Sequence, residues 1–371
     1  MIRTWALLLL VCLQTSAQKR DLFVGTYTSG ESKGIYVFTF DQKTGELTER
    51  SVAENVSNPS FLSLSPNKQF LYASNENGGN EPGEISSFRY DKTSGKLTFI
   101  NKVASGGDHP CYVTSTGKHV IAGNYTGGNL SVMPVKNGEL QPPVQVLQHE
   151  GSSINTERQE KAHVHATILS PDKKYLFVPD LGMDEIWIYP YREDAEKPVD
   201  ENKPVRVKIA EGTGPRHLVF SRNGKFVFVI QELSGTVSSY RFSKGNMKLI
   251  QSISSHPSNY LGELGSADIH LSPDGKYLYA SNRGNSNTIA IFKVDGGSGK
   301  LKLRDIIPTK GLKPRNFAID PSGNFLLVAN QESNTIVVFK RNQSNGSLTY
   351  SGMQAKVGNP VCLLFGDQAS N

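Results

Sequence analysis

Cysteine is almost missing from this chain: three residues in 371, one of which, Cys12, lies in an apolar leader. That scarcity excludes a disulfide-stapled scaffold. Cys111 and Cys362 fall in strands of well-separated repeats and are expected as buried free thiols. Clustered positive charge is missing too. The formal net charge is +6, but it is scattered, with no run of five basic residues, which argues against a nucleic-acid surface. A diffuse basic balance suits a small anionic ligand instead. No apolar run is long enough to span a bilayer as a helix. The one Gly-x-Ser-x-Gly match, Gly30-Glu31-Ser32-Lys33-Gly34, follows the expected strand 22–26 in a turn and opens no helix, so it is not a nucleophile elbow and a covalent serine route is disfavoured. His163 and His165 alternate on one strand face, yet no third ligand is placed to complete a set, so neither a metal nor another cofactor is expected.

The leader carries its own message. Arg3 precedes the apolar run from Trp5 to Leu13, and Thr15-Ser16-Ala17 offers small residues for cleavage. Residues 1–17 therefore read as a secretory signal, and residues 18–371 as one exported domain, periplasmic or secreted. Cys12 suggests a lipoprotein, but Val11 before it is too large for a good lipidation site. Removing Arg3 lowers the net charge from +6 to +5.

What is abundant is repetition. Ser65-Pro66-Asn67-Lys68 returns as Ser170-Pro171-Asp172-Lys173, Ser221-Arg222-Asn223-Gly224 and Ser272-Pro273-Asp274-Gly275. Asp320-Pro321-Ser322-Gly323 is a further copy, and Thr114-Ser115-Thr116-Gly117 a degenerate one. The copies start about 48 to 56 residues apart, a period expected of propeller blades. The 35 Gly and 19 Pro sit at these fixed turns and do not mark a disordered tract.

Each repeat reads as four strands. Inner strands are expected at 59–65, 110–114, 164–170, 216–221, 268–272, 315–320 and 360–365. Second strands are expected at 22–26, 70–74, 119–123, 175–179, 226–230, 277–281 and 325–329. Asp-x-x-x-Gly-x-Leu turns, such as Asp41 to Leu47, lead into the outer strands. The chain opens on a second strand and closes on an inner one. The two ends complete one blade, giving an all-β, seven-bladed β-propeller of four-stranded antiparallel sheets without an open edge.

Antiparallel neighbours place the start of an inner strand and the end of a second strand on one face. Aligning the repeats on their turns brings Ser60, His165, Arg216, Ala267 and Arg315 to that mouth. Tyr27, Glu76, Tyr125, Leu181, Glu232, Arg283 and Gln331 join them. One step earlier lie Thr26, Asn75, Asn124, Asp180, Gln231, Asn282 and Asn330, where the recurrent Asn is most simply a strand-ending group. His165, Arg216, Glu232 and Arg283 share one sector, a costly gathering of charge without a ligand. An Arg–Glu network that only tightens blade packing is the plainer alternative. Residues 148–162 break the repeat, and Arg158 in that insertion can reach over the channel. His109 is expected at the rim, and His217 and His270 as packed residues.

With those residues in place, the chain resembles the seven-bladed lactonase family, which includes propeller-type 6-phosphogluconolactonases and the 3-carboxy-cis,cis-muconate lactonizing enzymes. The resemblance runs from Phe23-Val24-Gly25-Thr26-Tyr27 through Gly123-Asn124-Tyr125, His163-Val164-His165 and Gly214-Pro215-Arg216-His217 to Gln231-Glu232-Leu233 and Ser281-Asn282-Arg283. It implies a catalytic set of His165, Glu232, Arg216 and Arg283. Arg158, His163, Asn124, Tyr125 and Arg315 are then expected to contact substrate, a small anionic lactone or sugar acid, with the chain acting as a monomer. Hydrolysis of a lactone is the first expectation, with either Glu232 or His165 as the base. A lactonizing cycloisomerase and a non-catalytic binding propeller are the rivals.

Overall fold

The computed structural model describes residues 19–366. The leader and Cys12 lie outside the described residues. Seven antiparallel sheets form the ring. Six have four strands; in the seventh, the outermost strand is split into Glu139–Leu140 and Gln145–Gln148, both paired with Asn129–Lys136. The second strands are buried along almost their whole length, as in Phe226–Gln231, because each sheet is sandwiched between two others. Outer strands face water along most of their length, and Asn246–Ser254 contains no buried residue.

The closing blade forms as expected. Pro360–Phe365 pairs with Lys19–Thr26, which continues to Gly34–Asp41 and Leu47–Glu54. Register is fixed by Leu22 opposite Phe365 and Gly25 opposite Cys362. A Cβ at Gly25 would lie 2.5 Å from the Pro59 carbonyl, so only glycine lets the next blade approach there. Phe365 packs against Phe40 of its own blade, and Phe325 of the preceding blade joins the same cluster. Each apolar cluster similarly bridges two blades. Burying one such side chain stabilises by about 1.5–3 kcal/mol. The four buried residues Val361, Cys362, Leu363 and Phe365 thus contribute on the scale of a whole domain's margin of about 5–15 kcal/mol.

The recurrent turn has a local cause. The Ser65 hydroxyl donates to Asn67 Oδ1 at 2.6 Å and accepts the Phe70 N–H at 3.0 Å. Ser170, Ser221 and Ser272 repeat the clasp with Asp172, Asn223 and Asp274. Asp320 replaces the serine and takes the Phe325 N–H directly at 2.7 Å. The clasps lie on the face opposite the mouth and hold each hairpin in register.

One strand differs from expectation. In the blade after the insertion, only Ile168–Leu169 is regular inner strand, preceded by a single bridge between Val164 and Asp180. The Asp180 carboxylate takes the His163 and Gly182 N–H groups, at 2.7 and 3.1 Å, and bends the chain there. His165 still reaches its neighbour, donating its N–H to the Pro179 carbonyl at 3.0 Å.

Candidate active site at one mouth of the channel

The mouth is shaped by one backbone device used repeatedly. A residue with left-handed φ precedes the inner strand: Asn58 at 40°, His109 at 51°, Gly214 at 65°, Lys313 at 55° and Asn359 at 43°. A proline follows, and then a β-bulge skips one residue in the pairing. The skipped residues include Ser60, Cys111, Arg216, Arg315 and Val361. A bulge frees its residue from the ladder and re-aims the side chain. This re-aims those five residues, whereas His165 follows an isolated Val164–Asp180 bridge with no such bulge.

Four of the expected residues meet here. Arg216 Nε donates to Glu232 Oε2 at 2.9 Å, and Arg283 Nη2 lies 3.1 Å from the same oxygen. His165 Nε2 stands 3.8 Å from it, outside hydrogen-bond range. The insertion supplies a third guanidinium. Arg158 Nη2 donates to Glu232 Oε1 at 2.7 Å and to the Tyr125 hydroxyl at 3.1 Å. Further bonds fix the arginines: Arg216 Nη1 donates to the Ala267 carbonyl at 2.7 Å, and Arg283 Nε to the Gly265 carbonyl at 3.1 Å. Arg216 is only 2% exposed and Glu232 5%, so this charge is largely desolvated.

Burial alone would raise the Glu232 pKa, but Arg283, Arg216, His165 and Arg158 together hold it well below the usual carboxylate range. Burial, reinforced by Arg283 and Arg315, lowers Arg216 to about 10, so it stays charged at neutral pH. Burial and then Arg216 push His165 well below its ordinary value. The site at pH 7 therefore contains a carboxylate, three guanidinium cations and a neutral imidazole.

The other expected contacts divide. Tyr125 stacks on His163, with ring centroids 4.4 Å apart, and stands edge-on to His165 at 5.2 Å. His163 forms part of the wall: its Nδ1 donates to the Tyr125 carbonyl at 3.0 Å and its Nε2 lies 3.1 Å from Glu160. Arg315 belongs to a separate cluster. It lies 3.6 Å from Glu76 and over the Tyr27 ring, whose hydroxyl donates to Glu76 at 2.8 Å. Asn124 does not face the mouth. It is fully buried, its amide donating to the Ser105 carbonyl and Asn129 Oδ1, because its alternate strand position points between blades. Asn75, Asn282 and Asn330 do the same work with Ser57, Ser255 and Thr309.

His165 also meets the His217 ring at 5.4 Å between centroids, and Tyr112 and Phe61 pack next to His217. Phe61 and Tyr112 stack at 4.0 Å, and His217 meets Tyr112 edge-on at 5.2 Å. His217 and His270 are packed on Asp268, each at 2.8 Å. His109 contributes backbone to the rim, accepting the Tyr125 N–H. Among the described residues, no group of three His, Cys, Asp or Glu is placed to hold a metal ion.

Cys111 was missed as a neighbour of the site. Its Sγ lies 3.6 Å from His165 Nδ1. Alignment on the Ser-Pro turns fails in its blade, where the turn is degenerate. Alignment on Pro110 beside Pro215 and Pro314 would have found it.

Comparison with known proteins agrees with this architecture. The family model described as "Lactonase, 7-bladed beta-propeller" matches residues 21–365. The chain is 42% identical to a 6-phosphogluconolactonase of Formosa agariphila over 332 residues, covering 88% of this chain and 94% of that protein. It is 34% identical to the 6-phosphogluconolactonase of Bacillus subtilis over 348 residues, covering 92% and 97%. The solved periplasmic gluconolactonase of Pseudomonas aeruginosa superposes with a TM-score of 0.89 at 38% identity, covering 94% and 99%. The chain belongs to the seven-bladed β-propeller lactonase family.

Proposed function

We propose that the mouth hydrolyses a small sugar lactone, as the names of its relatives suggest. The observation that supports this best is the convergence of Arg158, Arg216 and Arg283 on Glu232 beside an uncharged His165. His165 Nε2 takes a proton from water, and the resulting hydroxide attacks the lactone carbonyl carbon. Arg216 and Arg283 meet the negative charge that develops on the carbonyl oxygen. The ring C–O bond then breaks, and the imidazolium returns its proton to the leaving alkoxide. One water is consumed and one hydroxy acid is released. Glu232, with both oxygens occupied, keeps the guanidinium groups aimed. Arg158 and Tyr125 contact the substrate from the insertion, while Arg315 and His163 line the walls.

We also infer export of the chain, on the strength of its leader; no helix among the described residues is long and apolar enough to cross a membrane. The phosphorylated lactone of central sugar metabolism is cytoplasmic, so export favours an unphosphorylated lactone as substrate. The test is one preparation assayed on gluconolactone, on its 6-phosphate and on a carboxylated muconate. Fastest turnover of the unphosphorylated lactone is expected. Turnover of the muconate alone would make the enzyme a cycloisomerase, and no turnover of any would make it a binding propeller.

A further inference from the structure

Cys111 and His165 start the inner strands of neighbouring blades. Both thiols of the described residues are free, so Cys111 is not consumed in a disulfide. Its Sγ lies 3.5 Å from the His165 carbonyl oxygen, 3.8 Å from the Val164 carbonyl oxygen and 3.6 Å from His165 Nδ1. Burial, aided by Glu76, raises the thiol pKa, and the sulfur keeps its proton. The nearest acceptor to the single S–H is the His165 carbonyl oxygen, at 3.5 Å, which can only accept, and the proton is assigned there. The sulfur lone pairs then face Nδ1, which is left to donate.

The other nitrogen gives the same answer. An Nε2–H beside a carboxylate would close to about 2.7–2.9 Å. Instead Nε2 and Glu232 Oε2 stay 3.8 Å apart, the spacing of two acceptors. Tyr125 and His217 meet the ring only at 5.2 and 5.4 Å between centroids, and Arg216 reaches past it to Glu232. Among the described residues, the thiol is the one hydrogen-bonding partner of the imidazole.

We propose that Cys111 is a positioning residue that holds His165 as the Nδ1–H tautomer and so presents the Nε2 lone pair to the mouth. The hydrogen bond at one ring nitrogen decides the state of the other. The catalytic consequence rests on the lactone-hydrolase reading; the tautomer does not.

The test uses 15N-histidine-labelled protein, with His165 assigned through His165→Asn, and the two-bond couplings of its ring. Wild type should show Nδ1–H. Cys111→Ala should move His165 toward Nε2–H or a mixture, and Cys111→Ser, whose hydroxyl both donates and accepts, should restore the wild-type pattern. Cys111→Val, which fills the space without an acceptor for Nδ1–H, guards against a folding artefact and should behave as Cys111→Ala. With a lactone substrate, Cys111→Ala should lower kcat roughly tenfold with KM unchanged, the scale seen when a ligand-orienting partner is removed. Wild-type His165 in the Nε2–H form, or the same tautomer in all variants, would overturn the proposal. A tautomer shift in a protein that turns over no lactone would uphold the positioning role and refute the assigned activity instead.

Discussion

Glu232→Gln removes one negative charge from a site where three guanidinium groups converge at 2.7, 2.9 and 3.1 Å. Two of these, Arg216 and Arg283, are mostly buried and lose their counter-charge without gaining water. Breaking a buried pair by deleting one partner costs about 3–5 kcal/mol, and the surviving amide oxygen recovers part of it. A net loss near 3 kcal/mol is expected. Unfolding entropy of about 2.1 cal/mol/K per residue gives roughly 0.7 kcal/mol/K for a chain of this size, so Tm should fall by about 4 °C. Turnover should fall by about 10²–10³-fold, because the groups that meet the developing oxyanion lose their aim. The variant also becomes a better anion trap, so citrate or phosphate should raise its Tm more than that of wild type. Calorimetry and steady-state kinetics on one preparation decide the matter. Tm within 1 °C of wild type together with unchanged turnover would refute the reasoning, since the carboxylate would then organise nothing.

Four further outcomes follow from the structure. His165→Asn should reduce kcat by about 10²–10⁴-fold with little change in KM, the usual worth of a general base, while a rise in KM alone would assign the ring to binding. In wild type the acid limb of kcat/KM should fall below the ordinary histidine range, because burial and Arg216 lower the His165 pKa and activity is lost only as pH drops through that lowered value; a limb above 6.5 contradicts this. Arg158→Ala should raise KM several-fold and leave thermal stability nearly unchanged, because its side chain is 43% exposed and exposed pairs contribute only about 0–1 kcal/mol. Deleting residues 360–371 should abolish soluble expression, since it opens the ring along Leu22–Thr26; a soluble truncated chain with native circular dichroism would refute closure by the two ends.

The ring was legible because its signals are local and repeated. A Ser-Pro turn must clasp its own hairpin, so each blade announces itself, and the unmatched strands at the two ends imply the shared blade. The His165, Arg216, Glu232 and Arg283 sector followed from strand phase alone. What stayed hidden depends on side-chain contacts, within a blade or between blades, that strand phase does not encode. Asn124 looked like a rim residue, but alternation turns it inward onto Ser105 and Asn129. The short inner strand at Ile168–Leu169 results from a carboxylate, Asp180, that captures backbone N–H groups across the bend. Strand phase brings Arg315 and Glu76 to the mouth, but does not reveal their pairing at 3.6 Å, which depends on how two non-adjacent blades face one another. The bulges that aim the site residues leave no composition signal beyond the preceding proline.

On the proposed function, substrate is bound and converted at the one rim of the channel where circular closure gathers His165, Arg216, Glu232 and Arg283. A crystal grown with the hydroxy-acid product tests it most directly. The carboxylate of the product should lie against Arg216 and Arg283, with its carbon within reach of a water on His165 Nε2. Product held at the opposite end of the channel, or among the outer strands, in a protein that turns over the lactone would contradict the account.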